Sequence, residues 1–553
     1  MALSKIKILY CGLGLLSLVG CGGGGGGGGS SAEILPAFNC TSTGQALTSS
    51  AYGANPLFNS AWHLKNTGIV SNSTSGEDLN LTSTWGSGIT GECVVVAVVD
   101  DGIEIDHEDL KNNILAKYSY NYSNRTNDPT PSDYSDSHGT SVAGIIAAAS
   151  NTVGGLGVAP NAKLVGFVNT GESADYSNAM IGQPTTGASR FSVLSISNNS
   201  WGYPDNTGAL QDGFATGVWK SAVEKGVTEG RGGKGMIYLW ASGNGAEYNP
   251  SYPDPRYRRY VEDSNYDGQA NYRYVIAVGG ADSNGQHPDY AEPGANVLVA
   301  GLTQGSSASN PVYRPGIVTS TISGTGSIGG LRNQNYTDGF NGTSAATPTV
   351  AGVVALMLQA NSNLTWRQVR WILAATARKN NPTDSGWLSS ALGQNGAGKG
   401  FNHKYGYGVP DASAAVTMAV SNPPTLGTLQ SCVLSGTGQV GTAITSLNTV
   451  SFAASTCPIS TVEFVELEFD FAHSYFRDLG ITLSSPSGND SVLAEQGTCD
   501  SSSCNFSSGK VWTFGSVRHM NESVSGNWVL KVRDLGSNGS GTLNGATLII
   551  WGF

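Results

Sequence analysis

Three short stretches carry side chains of the kind that bond-breaking chemistry uses. "VVAVVDDGIEIDHEDL" places Asp100 at the end of an apolar run, "DSHGTSVAGIIAA" places His138 ahead of small residues, and "FNGTSAATPTVAG" sets Ser344 between a threonine and two alanines. A serine hydroxyl is a poor nucleophile at its ordinary pKa and needs a base to take its proton; an imidazole is such a base, and a carboxylate fixes its tautomer and steadies its charge. Singly, each residue has a plain reading: a turn or cap aspartate, a satisfied histidine, a packing serine. Together, in the order Asp, His, Ser, they point to acyl transfer by an activated serine.

The surrounding elements must bring the three together. "ECVVVAVVD" (92–100) is a continuous apolar run, as in a parallel strand buried on both faces. It leaves Asp100 at a strand's carboxyl end, where open α/β sheets place functional groups. "GTSVAGIIAAAS" (139–150) predicts a helix, and the apolar run behind Ser344 predicts another. "MIYLWAS" (236–242) and "YVIAVGGA" (274–281) read as strands. A helix is expected over 364–377, with Thr365 and Gln368 as a capping box and Leu364 stapled to Val369. This alternation predicts an α/β domain with a mostly parallel sheet over residues 51–420. Beyond "SNPPTLGT" only strand patterns remain: in "VELEFDF", Val465, Leu467, Phe469 and Phe471 alternate with acids. Residues 421–553 are therefore expected to form an all-β, jelly-roll-like sandwich.

Charged residues make up only 12% of the 553 and glycine is abundant, which fits a secreted, loop-rich enzyme better than a coiled coil or a helical bundle. The net charge of −11 and the lack of a long Lys/Arg run argue against nucleic acid as a partner and favour basic substrates. Residues 1–21 read as a signal peptide: Lys5 and Lys7 precede an apolar stretch too short to span a bilayer. Its end, "LVGC", resembles the bacterial lipobox, which implies lipidation of Cys21 and a cell-envelope location, at the outer membrane or cell surface. The glycine-rich residues 22–50 read as a flexible tether. Setting aside Cys11 and Cys21, six cysteines remain. Their even number favours disulfides, and chain order suggests Cys40–Cys93, Cys432–Cys457 and Cys499–Cys504, with the other pairings open.

The "HGTSVAG" and "GTSAATP" blocks, with Asp100 ahead of them, resemble the subtilase family over roughly residues 55–420. The resemblance implies a Ser endopeptidase with Asp100, His138 and Ser344 as triad and Asn244, in "WASGNGAEY", as oxyanion donor beside the Ser344 N–H. Within the family the chain is similar to the kexin/furin branch: "DDG" follows the strand, and "NSWGYPD" (199–205) matches a branch segment. That likeness implies that Ser200, Trp201 and Gly202 bind substrate as an added strand and that Asp205 and Asp267 receive a basic side chain before the scissile bond. It implies that Asp101 and Asp136 favour a second basic residue. Asn178 stands where the branch has a Glu for a more distant Arg. Calcium is the implied cofactor, at Asp205, Asp263 and Glu292 under the pocket, although Asp263 to Asp267 is one residue shorter than the branch spacing. A second calcium is implied at Asp109, Asn151 and Asn55, with the carbonyls of Ala149, Val153 and Gly155. "FRDLGITLSSPSG", "VWTFGSV" and "GNWVLKVRDL" resemble the P domain of proprotein convertases. The span between Cys21 and Asn55 is too short for the propeptide usual in this branch, so unaided folding or a separate chaperone is expected. The expected function is thus cleavage after Arg or Lys, with preference for dibasic sites. A broad degradative subtilisin and a surface adhesin on a protease scaffold are the alternatives.

Overall fold

The computed structural model describes residues 35–169, 173–203, 207–213, 215–246, 262–305, 314–392, 400–497, 499, 503–537 and 539–553. The apolar run ending in Asp100 forms β1 (Val95–Asp100), buried along its whole length. It joins β2 (Tyr120–Asn121), β3 (Lys163–Val168), β4 (Ile196–Asn199), β5 (Ile237–Ala241), β6 (Val275–Ala281) and β7 (Val297–Leu302). The seven form one parallel sheet in the order β2-β3-β1-β4-β5-β6-β7. Val96 and Val98 face a core shared with helices His138–Ala147, Gly342–Ala360, Trp366–Thr376 and Ala412–Ser421. Val95, Ala97 and Val99 face the opposite core, under helix Gly217–Gly233. Both faces of β1 are covered, which is why its sequence does not alternate.

The strand order reverses between β1 and β4, so a crevice opens at the carboxyl ends of these two neighbours. Asp100 ends one of them and Ser200 follows the other. Helix Gly342–Ala360 is long and apolar enough to cross a membrane, yet most of it is buried against the sheet, as a core helix is. Helix Trp366–Thr376 starts at the expected capping box of Thr365 and Gln368.

After Ser421 the chain builds two packed five-stranded antiparallel sheets. The last strand, Gly541–Gly552, pairs with Gln430–Ser435, Val462–His473 and Thr442–Ala443. Val465, Leu467, Phe469, Phe471, Trp528, Leu530 and Val532 fill the sandwich core, as their alternation predicts. The intervening Glu466 is not solvated. It is buried, accepts a hydrogen bond from Trp551 Nε1 at 2.6 Å and lies 3.6 Å from Arg273 Nη1. Glu463 pairs likewise with Arg367. The outer face of this sheet is docked on the α/β domain, so its acids meet arginines instead of water.

The six cysteines pair in chain order, Cys40–Cys93, Cys432–Cys457 and Cys499–Cys504. The end of the expected tether departs from a free linker. Leu47 is buried, Leu35 and Phe38 pack on the core below helix Gly217–Gly233, and the Glu92 carboxylate accepts hydrogen bonds from Ser42, Thr43 and Gly44. The disulfide at Cys40 and these apolar side chains outweigh a composition that reads as linker. Cys21 and the rest of the expected signal and tether lie outside the described residues.

Candidate active site

Two adjacent acids divide their work at the end of β1. Asp100 Oδ1 accepts a hydrogen bond from His138 Nδ1 at 2.8 Å. Asp101, expected to face a second basic residue, accepts from the first free N–H groups of the next helix: His138 N at 3.0 Å and Gly139 N at 2.7 Å. It is an N-terminal anchor that fixes where the imidazole starts. Burial, then the Asp100 charge, pushes the Asp101 carboxyl up to about 7. Burial pushes the His138 imidazole down, but the Asp100 charge and hydrogen bond, with Asp101 behind, outweigh it and lift the ring to about 9. Asp136 is part-exposed on the loop before His138, its N–H donating to Asp133 O at 3.1 Å.

Ser344 enters from the other side. Gly342 has a φ of 76°, a left-handed conformation that lets the chain turn into the helix carrying the serine. Asn244 follows β5, and its Oδ1 accepts from Thr343 N at 2.8 Å and Thr343 Oγ1 at 3.0 Å. Held by its oxygen end, the amide turns Nδ2 away from Thr343. Ser344 Oγ donates to Ser200 O at 2.9 Å and makes no hydrogen bond to His138. Such bonds in a free site are often formed only when substrate arrives.

A pocket of about 160 Å³ opens at Ser344 and Asn244. Trp201 and Gly202 line it; the Trp201 ring is pinned by Nε1 donating to Val99 O at 2.8 Å and by Trp240 with ring centres 4.5 Å apart. Four acids line it, Glu262, Asp263, Asp267 and Glu292, with no basic side chain among the described lining residues. Asp267 Oδ1 accepts from Gln269 N at 2.7 Å and Ala270 N at 2.9 Å, and its Oδ2 faces Tyr203 N at 3.3 Å. Burial pushes this carboxyl up. Asp205 lies outside the described residues. Glu262 is the residue that sequence reasoning passed over. It receives Gly208 N at 2.6 Å, on the opposite pocket loop. Counting back from Asp267, Glu262 supplies the spacing for which Asp263 is one residue short. Asn178 ends up in helix Ser173–Met180, its carbonyl accepting from Gln183 N at 2.9 Å.

The residues read as calcium ligands gather in two places. Asp109 is buried; its Oδ1 accepts from Asn151 Nδ2 at 2.8 Å, its Oδ2 from Gly155 N at 2.9 Å, and its backbone O from Ala149 N at 2.8 Å. Asn55 Oδ1 accepts from Asn151 N at 3.0 Å, and Asn151 Oδ1 from Val153 N at 2.8 Å. Burial pushes Asp109 up to about 7. Asp263 and Glu292 meet at the pocket, where a Cβ on Gly243 would fall 2.2 Å from Glu292 Oε1; only a glycine lets that carboxylate in. Among the described residues no three His, Cys, Asp or Glu side chains form a cage. The first grouping sets amide oxygens beside one carboxylate; the second brings together two carboxylates.

Comparison with known proteins bears on this arrangement. The profile described as "Subtilase family" matches residues 91–408, and the "Proprotein convertase P-domain" profile matches residues 462–550. The chain is 34% identical to neuroendocrine convertase 2 of Homo sapiens over 90% of its own length and 74% of the relative's. It is 33% identical to Protease KEX1 of Kluyveromyces lactis over 90% of its length and 60% of the relative's, so it spans about three fifths of that protein. The crystal structure of the Aeromonas sobria serine protease in complex with its chaperone superposes with a TM-score of 0.74 at 25% identity, covering 90% of this chain and 95% of that one. The sheet with its switch-point crevice, the docked sandwich and these matches agree: the chain belongs to the subtilase family and carries a proprotein convertase P domain behind the protease fold.

Proposed function

We propose that the protein is a calcium-dependent serine endopeptidase of the kexin kind, cutting after Arg or Lys. The observation that carries the reading is Asp267 in the lining of the pocket at Ser344: with Asp263 and Glu292 given to calcium, this carboxylate, pushed up by burial, is the one left to face a cationic guest. In this reading Ser344 Oγ turns from Ser200 O to His138, which takes its proton as Oγ attacks the scissile carbonyl. Asp100 holds the imidazole and stabilises its charged form. The Ser344 N–H, at a helix start, and Asn244 Nδ2 receive the oxyanion. His138 then returns its proton to the leaving amine, and water repeats the sequence on the acyl-enzyme. Ser200 O, freed by the serine, accepts from the substrate backbone laid along Ser200, Trp201 and Gly202.

Calcium fits both groupings. Asp109, Asn55, Asn151 and the carbonyls of Ala149, Val153 and Gly155 are hard oxygen donors, and a half-turn of the Asn151 amide, at the loss of its bond from Val153 N, would present Oδ1 in place of Nδ2. Asp263 and Glu292, with Asp205 or Glu262, would hold a second ion. When bound, calcium neutralises buried carboxylates and ties the loops; it takes no part in bond breaking. Lipidation at Cys21 would place the enzyme on the bacterial envelope, and a separate folding chaperone is a fitting partner, since the structural neighbour was solved with one.

The test is peptide-library profiling of the purified protein, with and without a strong chelator. Cleavage after Arg and Lys, with loss of activity and a lower melting temperature on chelation, is expected. Equal cleavage after Leu would favour a broad degradative subtilisin. No cleavage, and no labelling of Ser344 by a fluorophosphonate, would favour an adhesin. Mass spectrometry of the mature N-terminus checks Cys21.

A further inference from the structure

We infer that the β-sandwich frames the specificity pocket, with Arg477 and Trp512 as positioning residues for recognition of the basic side chain. The inference rests on the pocket reading above and adds to it a role for the second domain.

The pocket has two loop walls, and the sandwich grips both from outside. In the first wall, the ring of pocket-lining Tyr266 is buried between two sandwich residues. Phe476 meets it edge-on with centroids 5.7 Å apart, and the Arg477 guanidinium carbon lies 4.9 Å from its centroid. Arg477 is itself fully buried, so its cation acts on the ring face where little water screens it. The residue before Tyr266 is clamped as well: Asn265 O accepts from Trp512 Nε1 at 3.0 Å, and Asn265 Nδ2 donates to Gly515 O at 2.6 Å. Asp267 comes directly after Tyr266, so whatever holds the ring also holds the carboxylate meant for the substrate.

The second wall is held in a different way. The sulfurs of the Cys499–Cys504 disulfide lie 3.1 and 3.5 Å from the carbonyl oxygens of Thr207 and Gly208. Leu210, in the same loop, buries its side chain in the sandwich core, and Lys510 pairs with Asp212 at 2.7 Å. Backbone bonds then stitch the walls together, Gln211 N to Tyr266 O at 2.8 Å and Gly268 N to Gln211 O at 2.9 Å. By contrast, the hydrogen bonds described above for Asp100, His138, Asn244 and Ser344 have their partners in the α/β domain. A desolvated charge pair is steeply sensitive to distance, whereas an apolar side chain tolerates a loosened wall. Loosening the frame should therefore cost selectivity before it costs chemistry.

The experiment uses the full chain as wild type, Arg477→Met, Arg477→Lys and Trp512→Phe. Met keeps the stem of Arg477 without its charge, and Phe keeps an aromatic ring without the Nε1 donor. Matched peptides with Arg or Leu before the scissile bond give kcat and KM, and the rate of fluorophosphonate labelling reports the reactivity of Ser344. The Met and Phe variants are expected to lose about tenfold in Arg-over-Leu selectivity, mainly through KM for the Arg peptide, with labelling unchanged and Lys restoring most of the loss. Should Arg477→Met fail to fold, Trp512→Phe decides alone. Unchanged selectivity overturns the inference, as does an equal loss on both peptides and in labelling, which is mere structural damage. A wild type that cleaves equally after Arg and Leu would instead sink the pocket reading, and this inference with it.

Discussion

The residues proposed to break the bond and the acidic pocket share a wall, but they are built differently. Asp100 ends a strand buried on both faces, and His138 and Ser344 open helices packed on that same sheet. Each position is set by regular elements inside one domain. The pocket is made of loop residues, 201–203 and 207–211 on one side and 262–267 on the other, and these are tied to each other and to the sandwich. Chemistry placed on rigid elements resists change, whereas recognition placed on braced loops can be retuned by changing the brace.

The comparison breaks most visibly at Ser344. Ser344→Ala should abolish fluorophosphonate labelling and lower kcat by up to about a millionfold, as loss of the nucleophile does in related sites. Binding of a guanidinium inhibitor should stay close to wild type, because the acids are untouched. If inhibitor binding fell with activity, the two regions would not be separable. Next in size, Asn244→Ala should lower kcat by about a hundred- to a thousandfold with little change in KM, the signature of a donor that works only in the transition state. Asn244 also receives Thr343 N and Oγ1, so melting curves belong beside the kinetics.

Asp267→Asn tests the other region. The amide keeps Oδ1 as acceptor for Gln269 N and Ala270 N, so the turn survives while the charge goes. The kcat/KM for an Arg peptide should fall by about 3 kcal/mol or more if its guanidinium is desolvated, and a Leu peptide should change little. A matched loss on both peptides would mean that Asp267 shapes the loop and does not read the substrate.

The two regions also differed in how legible they were in the sequence. β1 was readable because burial on both faces removes alternation, and the Trp366–Thr376 helix because its capping box is local. The order of Asp100, His138 and Ser344 marked them as a candidate group; the structure pairs Asp100 with His138 and sets Ser344 on Ser200, which follows the neighbouring strand. What stayed hidden depends on docking. Glu466 follows a polar-outward pattern yet is buried against Arg273, since its sheet face meets another domain. Residues 35–50 have a linker's composition but are held by one disulfide and a few apolar side chains. Glu262 was hidden by its neighbour Asp263, and nothing local to Arg477 tells that it will lie on a pocket tyrosine.

The smallest expected effect lies where the two acids of "DDG" divide their work. His138 must be neutral to accept a proton, so activity rises with pH through its pKa. Burial lowers that pKa, but Asp100 and then Asp101 more than offset it, from an ordinary 6.5 to about 9. Asp101→Asn removes one of these charges and keeps one acceptor for the helix N-terminus. The acid limb of kcat/KM should therefore move to lower pH, while remaining above 6.5 because Asp100 and its 2.8 Å hydrogen bond persist. Stability carries both signs. The raised imidazole favours the fold below its unfolded pKa, and that contribution fades as pH rises through about 9. Asp101 adds to it only where its own carboxyl, pushed up to about 7 by burial and the Asp100 charge, is ionised, and keeping that charge buried costs stability there. The variant should therefore lose little on the acid side and recover this cost as pH rises through about 7. The lost N–H contact at His138 or Gly139 costs about 1 kcal/mol at every pH, so the two parts separate in melting curves taken across pH. The pH profile is best measured on a Leu peptide, so that titration of the pocket acids does not enter. An acid limb that stays in place would show that the charge of Asp101 is spent on the helix end and is not felt at the imidazole.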